Sequence, residues 1–216
     1  MSKYFHPLVK DPYSIDDINE AKKILDSRQI TMSKVTKKFE NFFSEKMNTK
    51  FANMVNSGSS ANLLAFQCLI NPYRKNRLKP GDEVIIPTLC WSTSLWPIVQ
   101  ANLKPVFVDI NAESLNIDED QIERKISKKT KAILLVHVLG NSCNMSKIER
   151  IKKKYNLIVI EDTCESLGSK YKNKFLGTFG DFSSFSFYSS HQISSGEGGM
   201  ICCKYELIIN AIVKPL

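Results

Sequence analysis

Hydrophobic residues follow two alternating patterns along this chain. Short, nearly continuous apolar runs, typical of strands buried on both faces, lie at 51–56, 83–87, 105–109, 131–138 and 157–162. Segments with apolar residues at helical spacing separate them, at 59–69, 91–101, 118–126 and 145–154. Strands that alternate with amphipathic helices predict an α/β fold with a mostly parallel central sheet and helices on both faces.

The two ends of this alternating region follow different patterns. Before the first strand, Ser14 and Asp17 form a capping-box-like start for one helix, and Ser33 begins a second. After the fifth strand, the runs FSSFSF (182–187) and GMICC (199–203) have no helix between them. We therefore expect the sheet to close with neighbouring or antiparallel strands.

The pattern also predicts the domain organisation. We expect a helical segment over 1–30 and one large α/β domain over 31–216. The final residues, ELIINAIVKPL, look helical, and no second domain follows them. The chain is therefore expected to be the N-terminal piece of a longer protein.

Composition and charge narrow the functional classes. Of 216 residues, 43% are hydrophobic and 24% charged, which is typical of an ordinary globular protein. No apolar run approaches the about 20 residues of a membrane span, and the N-terminus lacks the apolar region of a signal peptide. A cytoplasmic location without membrane partners is therefore expected.

A net charge of +8 and six cysteines could each indicate a ligand. A basic balance suits nucleic acid or a polyanionic small molecule, but the lysines are scattered over helix-type segments without interleaved aromatics. We therefore predict solvated surfaces and no nucleic-acid partner. The cysteines show neither CxxC spacing nor suitably placed histidines, so no metal site is predicted.

Unusual polar residues follow the ends of several predicted strands, where open α/β sheets bind ligands. NSGSS (56–60) joins a strand to a helix, and Gly58 and Ser59 there make either an anion cradle or a plain helix cap. Trp91 is either a core residue or a flat platform for a ring. The serines of a later turn, Ser186, Ser189 and Ser190, are further candidate phosphate donors.

Three acidic residues end the fifth strand and follow it. We interpret Glu161 as a helix cap or a surface charge, and we expect Asp162 to face a ligand. A buried carboxylate needs a cationic or hydrogen-bonding partner. A protonated pyridine nitrogen is such a partner, and this pairing tunes pyridoxal-type cofactors.

Ordered motifs over about residues 7–205 resemble the DegT/DnrJ/StrS family of fold-type-I pyridoxal-phosphate (PLP) enzymes, mostly sugar-nucleotide aminotransferases. The motifs are VNSGSSANLLA, GDEVIIP, KPVFVDI, TKAILLVHVLGN, IVIEDTCESLGSKY, GTFGDFSSFSF and GEGGM. The resemblance implies the three-layer large domain of these transferases, a homodimer, and a C-terminal small domain absent from this chain. The cofactor contacts that it implies are phosphate binding by Gly58, Ser59 and Ser186, ring stacking by Trp91, pairing of Asp162 with the ring nitrogen, and Glu165 beside the 3-hydroxyl.

One position departs from the aminotransferases of the family. Aligned on GEGG, His191 replaces the lysine that links covalently to the cofactor. Imidazole is not a primary amine and cannot form that link, whereas a neutral imidazole is suited to proton transfer near pH 7. Histidine at this position resembles the family's sugar 3-dehydratases, which use unattached pyridoxamine phosphate (PMP).

This resemblance implies loss of the C3 hydroxyl from a nucleotide-linked 4-keto-6-deoxyhexose, for deoxysugars of lipopolysaccharide. The segments RLKPGDEVIIPTLCWSTSLWP and ITM (30–32) favour the GDP-sugar branch, in which glutamate is the amino donor. Cys164 is compatible with the CDP-sugar branch and its iron–sulfur cluster, whose other ligands would lie beyond Leu216. An aminotransferase without a lysine link and a truncated, inactive chain are the alternatives.

Overall fold

A computed structural model describes residue 9 and residues 11–204. The helix predicted at the C-terminal end falls within 205–216, outside the described residues. The helices are α1 (Ile15–Ser27), α2 (Lys34–Met47), α3 (Gly58–Ile70), α4 (Ser92–Gln100), α5 (Glu119–Lys125) and α6 (Met145–Tyr155). The strands are β1 (Phe51–Val55), β2 (Glu83–Pro87), β3 (Lys104–Val108), β4 (Thr130–Val136), β5 (Ile158–Asp162), β6 (Lys170–Tyr171), β7 (Lys174–Phe175), β8 (Phe182–Ser186) and β9 (Gly199–Cys203).

Both predicted N-terminal helices are confirmed, including their first residues. The Ser14 hydroxyl accepts from the Asp17 N–H, and the Asp17 carboxylate accepts from the Ser14 N–H, which completes a capping box. The Ser33 side chain caps α2 by accepting from the Thr36 N–H. α1 contributes no buried residue, and the domain division at residue 30 stays a prediction.

Seven strands form one mixed sheet in the order β1-β9-β8-β5-β4-β2-β3. From β8 to β3 the paired strands are parallel, whereas β9 is antiparallel to both of its neighbours, β1 and β8. The mostly parallel sheet and its antiparallel closure are thus confirmed. The hydrophobic pattern did not indicate that the last strand lies between the first strand and the rest, nor did it reveal the short β6–β7 hairpin.

Helices cover both faces of this sheet and make three layers. On one face, α3 and α4 pack on alternate strand residues, with Phe66 and Ile98 fully buried against Ile86 and Leu134. On the other face, α5 and α6 pack on the intervening residues. α2 covers the β8 and β9 part of that second face through a cluster of Phe43, Met47, Phe185, Phe187, Met200 and Cys202.

The strand register brings the predicted site segments to one edge of the sheet. Val55 at the end of β1 and Ser186 at the end of β8 both pair with Gly199 at the start of β9. Asp162 at the end of β5 pairs with Ser184 of β8. Within the described part of the chain, no helix has the length and apolar character needed to cross a membrane.

Candidate active site

A cavity of about 400 Å³ lies at the carboxyl ends of the central strands. Seven residues predicted from the sequence line it: Gly58, Ser59, Trp91, Asp162, Glu165, Ser186 and His191. They come from four segments of the chain. Of the two further serine candidates, Ser190 also lines the cavity and Ser189 is not among its lining residues.

Gly58 allows two parts of this site to approach closely. A Cβ atom at this position would collide with the Cys164 sulfur and would lie 2.9 Å from the Cβ of Ser186. A Cβ on Gly199 would likewise lie 2.6 Å from the Gly58 nitrogen. Any larger residue would push the start of α3 away from the ends of β5 and β8, so glycine is required here by packing.

The first turn of α3 presents its N–H groups to the cavity. Ser57 caps the helix: its hydroxyl accepts from the Ser60 N–H at 3.1 Å, and its carbonyl accepts from Ala61. Within residues 11–204, the N–H groups of Gly58 and Ser59 have no hydrogen-bond acceptor. Unpaired N–H groups at the positive end of a helix dipole favour a phosphate.

Asp162 is a buried carboxylate with four donors. It is 6% exposed. Its Oδ2 accepts from the amide of Asn62 and the hydroxyl of Ser94, each at 2.7 Å. Its Oδ1 accepts from the Cys164 N–H at 3.2 Å and the Ser184 hydroxyl at 3.3 Å. Both carboxylate oxygens thus act as acceptors, and an acceptor at this position suits a cationic ring nitrogen.

Trp91 is 73% exposed, so the alternative of a core residue is wrong. It precedes α4 as its N-cap residue, and its carbonyl accepts from the Ser94 N–H at 2.9 Å. The same turn therefore supplies an aromatic ring to the wall of the cavity and a hydroxyl donor to Asp162. A flat, accessible indole is suited to stacking on a planar ring.

Glu161 corrects one sequence interpretation, because it is neither a helix cap nor a surface charge. It is fully buried, and its carboxylate accepts from the backbone N–H groups of Gly177, Phe179 and Gly180. His137 is also within 3.1 Å through Nε2; since His137 Nδ1 accepts from the Cys143 N–H, Nε2 carries the proton and donates. Burial opposes ionisation of Glu161, but these donors outweigh it and lower its pKa.

Glu165 is held by a turn between β4 and α6. Its Oε2 accepts from the Leu139 N–H at 2.8 Å, and Leu139 has a positive φ of 51°. The backbone carbonyl of Glu165 accepts from the Gln192 side chain at 2.5 Å. Glu165 thus links the segment after β5 to the loop that carries His191.

His191 is half-buried in the loop between β8 and β9. Its backbone N–H donates to the Tyr188 carbonyl at 3.0 Å. The rings of the two residues meet edge-on, with their centroids 6.1 Å apart. Tyr13 reaches the same loop and hydrogen-bonds Ser194 at 2.9 Å. Among the described residues that line the cavity, His191 is present and lysine is absent.

Cys164 also lines the cavity, and its sulfur lies 3.8 Å from the Ser184 hydroxyl. Burial raises the pKa of this thiol well above its ordinary value, and the nearby Asp162 carboxylate raises it further. The thiol is therefore protonated at neutral pH. Within residues 9 and 11–204, no cluster of three or more His, Cys, Asp and Glu side chains could hold a metal ion.

Several residues that line the cavity were not predicted, and four of them support the site through hydrogen bonds: Ser57, Asn62, Thr93 and Ser94. Thr93 hydrogen-bonds the Ser59 hydroxyl at 2.8 Å, and the other roles are described above. Asn62 is four positions after Gly58 on the same helix, so helical spacing places the two on one face. That spacing was a usable signal for Asn62.

The three-layer fold, with its cavity at the carboxyl ends of the sheet, is that of the large domain of fold-type-I PLP enzymes. Residues 13–214 match the model of the DegT/DnrJ/EryC1/StrS aminotransferase family, and the chain belongs to that family. This confirms the resemblance found in the motifs.

The similarity to individual relatives is more specific than the match to the family. The chain is 39% identical over 208 residues to a GDP-4-keto-6-deoxy-D-mannose 3-dehydratase of Escherichia coli O55:H7, covering 96% of this chain and 53% of that protein. A solved E. coli GDP-4-keto-6-deoxy-D-mannose-3-dehydratase with bound hydrated PLP superposes with a TM-score of 0.92 at 39% identity, covering 96% of this chain and 53% of the other. A solved GDP-4-keto-6-deoxymannose-3-dehydratase with a trapped PLP–glutamate geminal diamine has a TM-score of 0.91, 38% identity, and coverage of 96% and 54%. The chain spans about half the length of these relatives.

Proposed function

We propose that this chain is the cofactor-binding part of a sugar-nucleotide 3-dehydratase. Its substrate would be a GDP-4-keto-6-deoxyhexose, from which the C3 hydroxyl is removed to supply a deoxysugar for lipopolysaccharide. The cofactor would be pyridoxamine phosphate, formed from PLP with glutamate as the amino donor. The similarity to dehydratases that act on GDP-sugars supports this choice over CDP-sugars.

The presence of His191 in a cavity wall without lysine, among the described residues, carries this proposal. An imidazole cannot link covalently to the cofactor, so the amine form stays free to react. When bound, pyridoxamine phosphate supplies a primary amine and an electron sink. His191 would take up and return a proton at an imidazole nitrogen, since an imidazole can act both as acceptor and as donor of a proton.

The other residues of the site would bind and orient the cofactor. Gly58 and Ser59 would donate N–H groups to the phosphate, and Ser186, 7% exposed beside them, would add a hydroxyl. Trp91 would stack on the ring, and the carboxylate of Asp162 would pair with the protonated ring nitrogen. Glu165, fixed by the Leu139 N–H, would face the 3-hydroxyl of the cofactor.

The proposal extends to the location of the protein, its oligomeric state and the parts that complete the site. We expect a cytoplasmic homodimer in which a partner subunit and a C-terminal domain complete the site. The half-length coverage of the relatives is consistent with a contribution from further residues. Neither nucleic acid nor membrane is part of this proposal.

Borohydride trapping tests the role of His191 directly. The wild-type protein is incubated with PLP, reduced with borohydride, and analysed by mass spectrometry alongside His191→Lys and His191→Asn. We expect covalent PLP on the peptide that contains residue 191 in His191→Lys alone, because only that variant adds a primary amine at this position. A stoichiometric, reducible PLP link to one particular lysine of the wild-type protein would contradict the proposal.

Product analysis separates dehydration from amine transfer. A full-length form that includes the proposed C-terminal domain is supplied with PMP, glutamate, and either GDP- or CDP-4-keto-6-deoxyhexose. We expect the 3-deoxy-4-keto product from the GDP-sugar and no dehydration by His191→Lys. Formation of a 4-amino sugar with an intact C3 hydroxyl would favour the aminotransferase alternative, and dehydration of the CDP-sugar alone would reverse the choice of nucleotide.

A further inference from the structure

Asn62 is buried beside the carboxylate that would face the cofactor ring. It lies in the first turns of α3, is 1% exposed, and donates its side-chain amide to Asp162 Oδ2 at 2.7 Å. Ser94, from the start of α4, donates to the same oxygen at 2.7 Å and is fully buried. Two helices on one face of the sheet therefore converge on one oxygen atom of a β5 residue.

The orientation of the Asn62 amide follows from its contact with the Asp162 carboxylate. In the opposite orientation, two acceptor oxygens would face each other at this distance, which an ionised Asp162 does not allow. The observed orientation leaves Asn62 Oδ1 buried and without a hydrogen-bond partner among the described residues. An unpaired buried carbonyl costs free energy, so a purely structural role would be filled better by leucine. The donor to Asp162 is thus the feature that favours asparagine.

The four donors together fix the plane of the Asp162 carboxylate. Asn62 and Ser94 act on Oδ2, while Cys164 N–H and the Ser184 hydroxyl act on Oδ1. The two donors on Oδ2 have the shorter contacts, and they come from helices rather than from the sheet. A carboxylate fixed in this way pairs with a ring N–H without first losing rotational freedom.

We propose that Asn62 is a positioning residue for the cofactor, acting through Asp162. Its amide holds the carboxylate in one orientation, with the Ser94 hydroxyl as the second support. The inference rests on the proposed pairing of Asp162 with the cofactor ring. It adds to the cofactor site a residue for which the sequence alone predicted no role.

A double-mutant cycle tests this dependence. PLP and PMP dissociation constants are measured by absorbance titration for the wild type, Asn62→Leu, Asp162→Asn and the double variant. We expect Asn62→Leu to weaken binding about tenfold when Asp162 is present, as for loss of one hydrogen bond to a charged group. In the Asp162→Asn background the same change should alter binding less than twofold.

Two variants serve as matched comparisons. Ser94→Ala removes the second donor and should show the same dependence on Asp162. Asn116→Leu replaces an equally buried asparagine whose amide bonds the Asn141 carbonyl and whose oxygen accepts from Val138 N–H. Any effect of Asn116→Leu should be the same with and without Asp162. If Asn62→Leu also has the same effect in both backgrounds, its role is structural only and the proposal is overturned.

Side-chain NMR gives a second readout that needs no cofactor. The Asn62 NH₂ resonances, assigned by their loss in Asn62→Leu, are compared between the wild type and Asp162→Ala. We expect one NH₂ proton to be displaced downfield in the wild type and to return towards free-amide values in Asp162→Ala. Unchanged resonances would overturn the contact itself. Normal NMR behaviour without any PLP or PMP binding by the wild type would instead count against the proposed function and against a cofactor role for Asn62.

Discussion

At the scale of single residues, the site separates into side chains that face the cavity and side chains that hold them. Trp91 and His191 line the cavity with few internal restraints, whereas Asp162 is fixed by four hydrogen bonds. This division follows from chemistry, since a buried charge requires partners and an aromatic ring does not. The two kinds of residue should therefore respond differently to substitution.

Trp91 allows a test of stacking with a control on the same helix. We expect Trp91→Ala to weaken PLP binding about twofold to tenfold, since aromatic stacking contributes about 0.5–1.5 kcal/mol. Trp91→Phe should retain most of the affinity. Trp96, 55% exposed and outside the cavity wall, is the matched control, and Trp96→Ala should leave binding unchanged. Equal losses in the two alanine variants, measured by fluorescence titration, would contradict a stacking role for Trp91.

At the scale of elements, the start of α3 is fixed by contact with the end of β8 and the start of β9. Gly58 and Gly199 are the contact points, and a side chain on either would meet neighbouring atoms at less than van der Waals distance. The helix therefore directs its free N–H groups into the cavity because two glycines allow the sheet to come close. Phosphate binding and local packing are consequently linked.

Gly58→Ala tests this link. We expect it to lower the free energy of unfolding by about 1–3 kcal/mol through overpacking and to weaken PLP binding. Adding Cys164→Ala should restore part of the stability, because it removes the sulfur that the new methyl group meets first. Chemical denaturation with and without PLP measures both effects. A stable Gly58→Ala variant with normal affinity would show that this close approach is not needed.

At the scale of the whole molecule, Glu161 connects the central sheet to the segment before β8. Its carboxylate joins β5 to the N–H groups of Gly177, Phe179 and Gly180, and to His137 after β4. Because this buried charge is neutralised only by fixed donors, removing it leaves several buried groups unpaired. Glu161 is therefore expected to affect global stability more than any exposed acidic residue.

The prediction for Glu161 includes a dependence on pH. Since its pKa is lowered from 4.5 in the folded state, its stabilisation is present above that value and is lost as pH falls through the folded-state pKa. We expect Glu161→Gln to lower the free energy of unfolding near pH 7 by about 3 kcal/mol or more and to flatten the loss of stability below pH 4.5. Urea denaturation at several pH values measures this. Glu123→Gln, which removes a partly exposed carboxylate that pairs with Lys154, should change stability much less, and an equal effect there would contradict the prediction.

The sequence by itself determined the helices and the central strands, the fold class and several principal residues of the cavity wall. Apolar periodicity was sufficient for the helices and the central strands because burial on two faces requires nearly continuous apolar runs. Gly58, Trp91, Asp162 and His191 were predicted because they follow strand ends or occupy positions within family motifs. They lie together because the carboxyl ends of parallel strands share one edge of the sheet.

Only the tertiary structure decided which polar residues support the site. Glu161 and Asp162 are adjacent in sequence, but the alternation of a strand directs one to a closed network beneath the sheet and the other to the cavity. Likewise, Asn62 and Ser94 are 100 and 68 positions away from the carboxylate they contact. Such contacts depend on how helices pack across the sheet, so the periodicity of residues along the chain does not predict them.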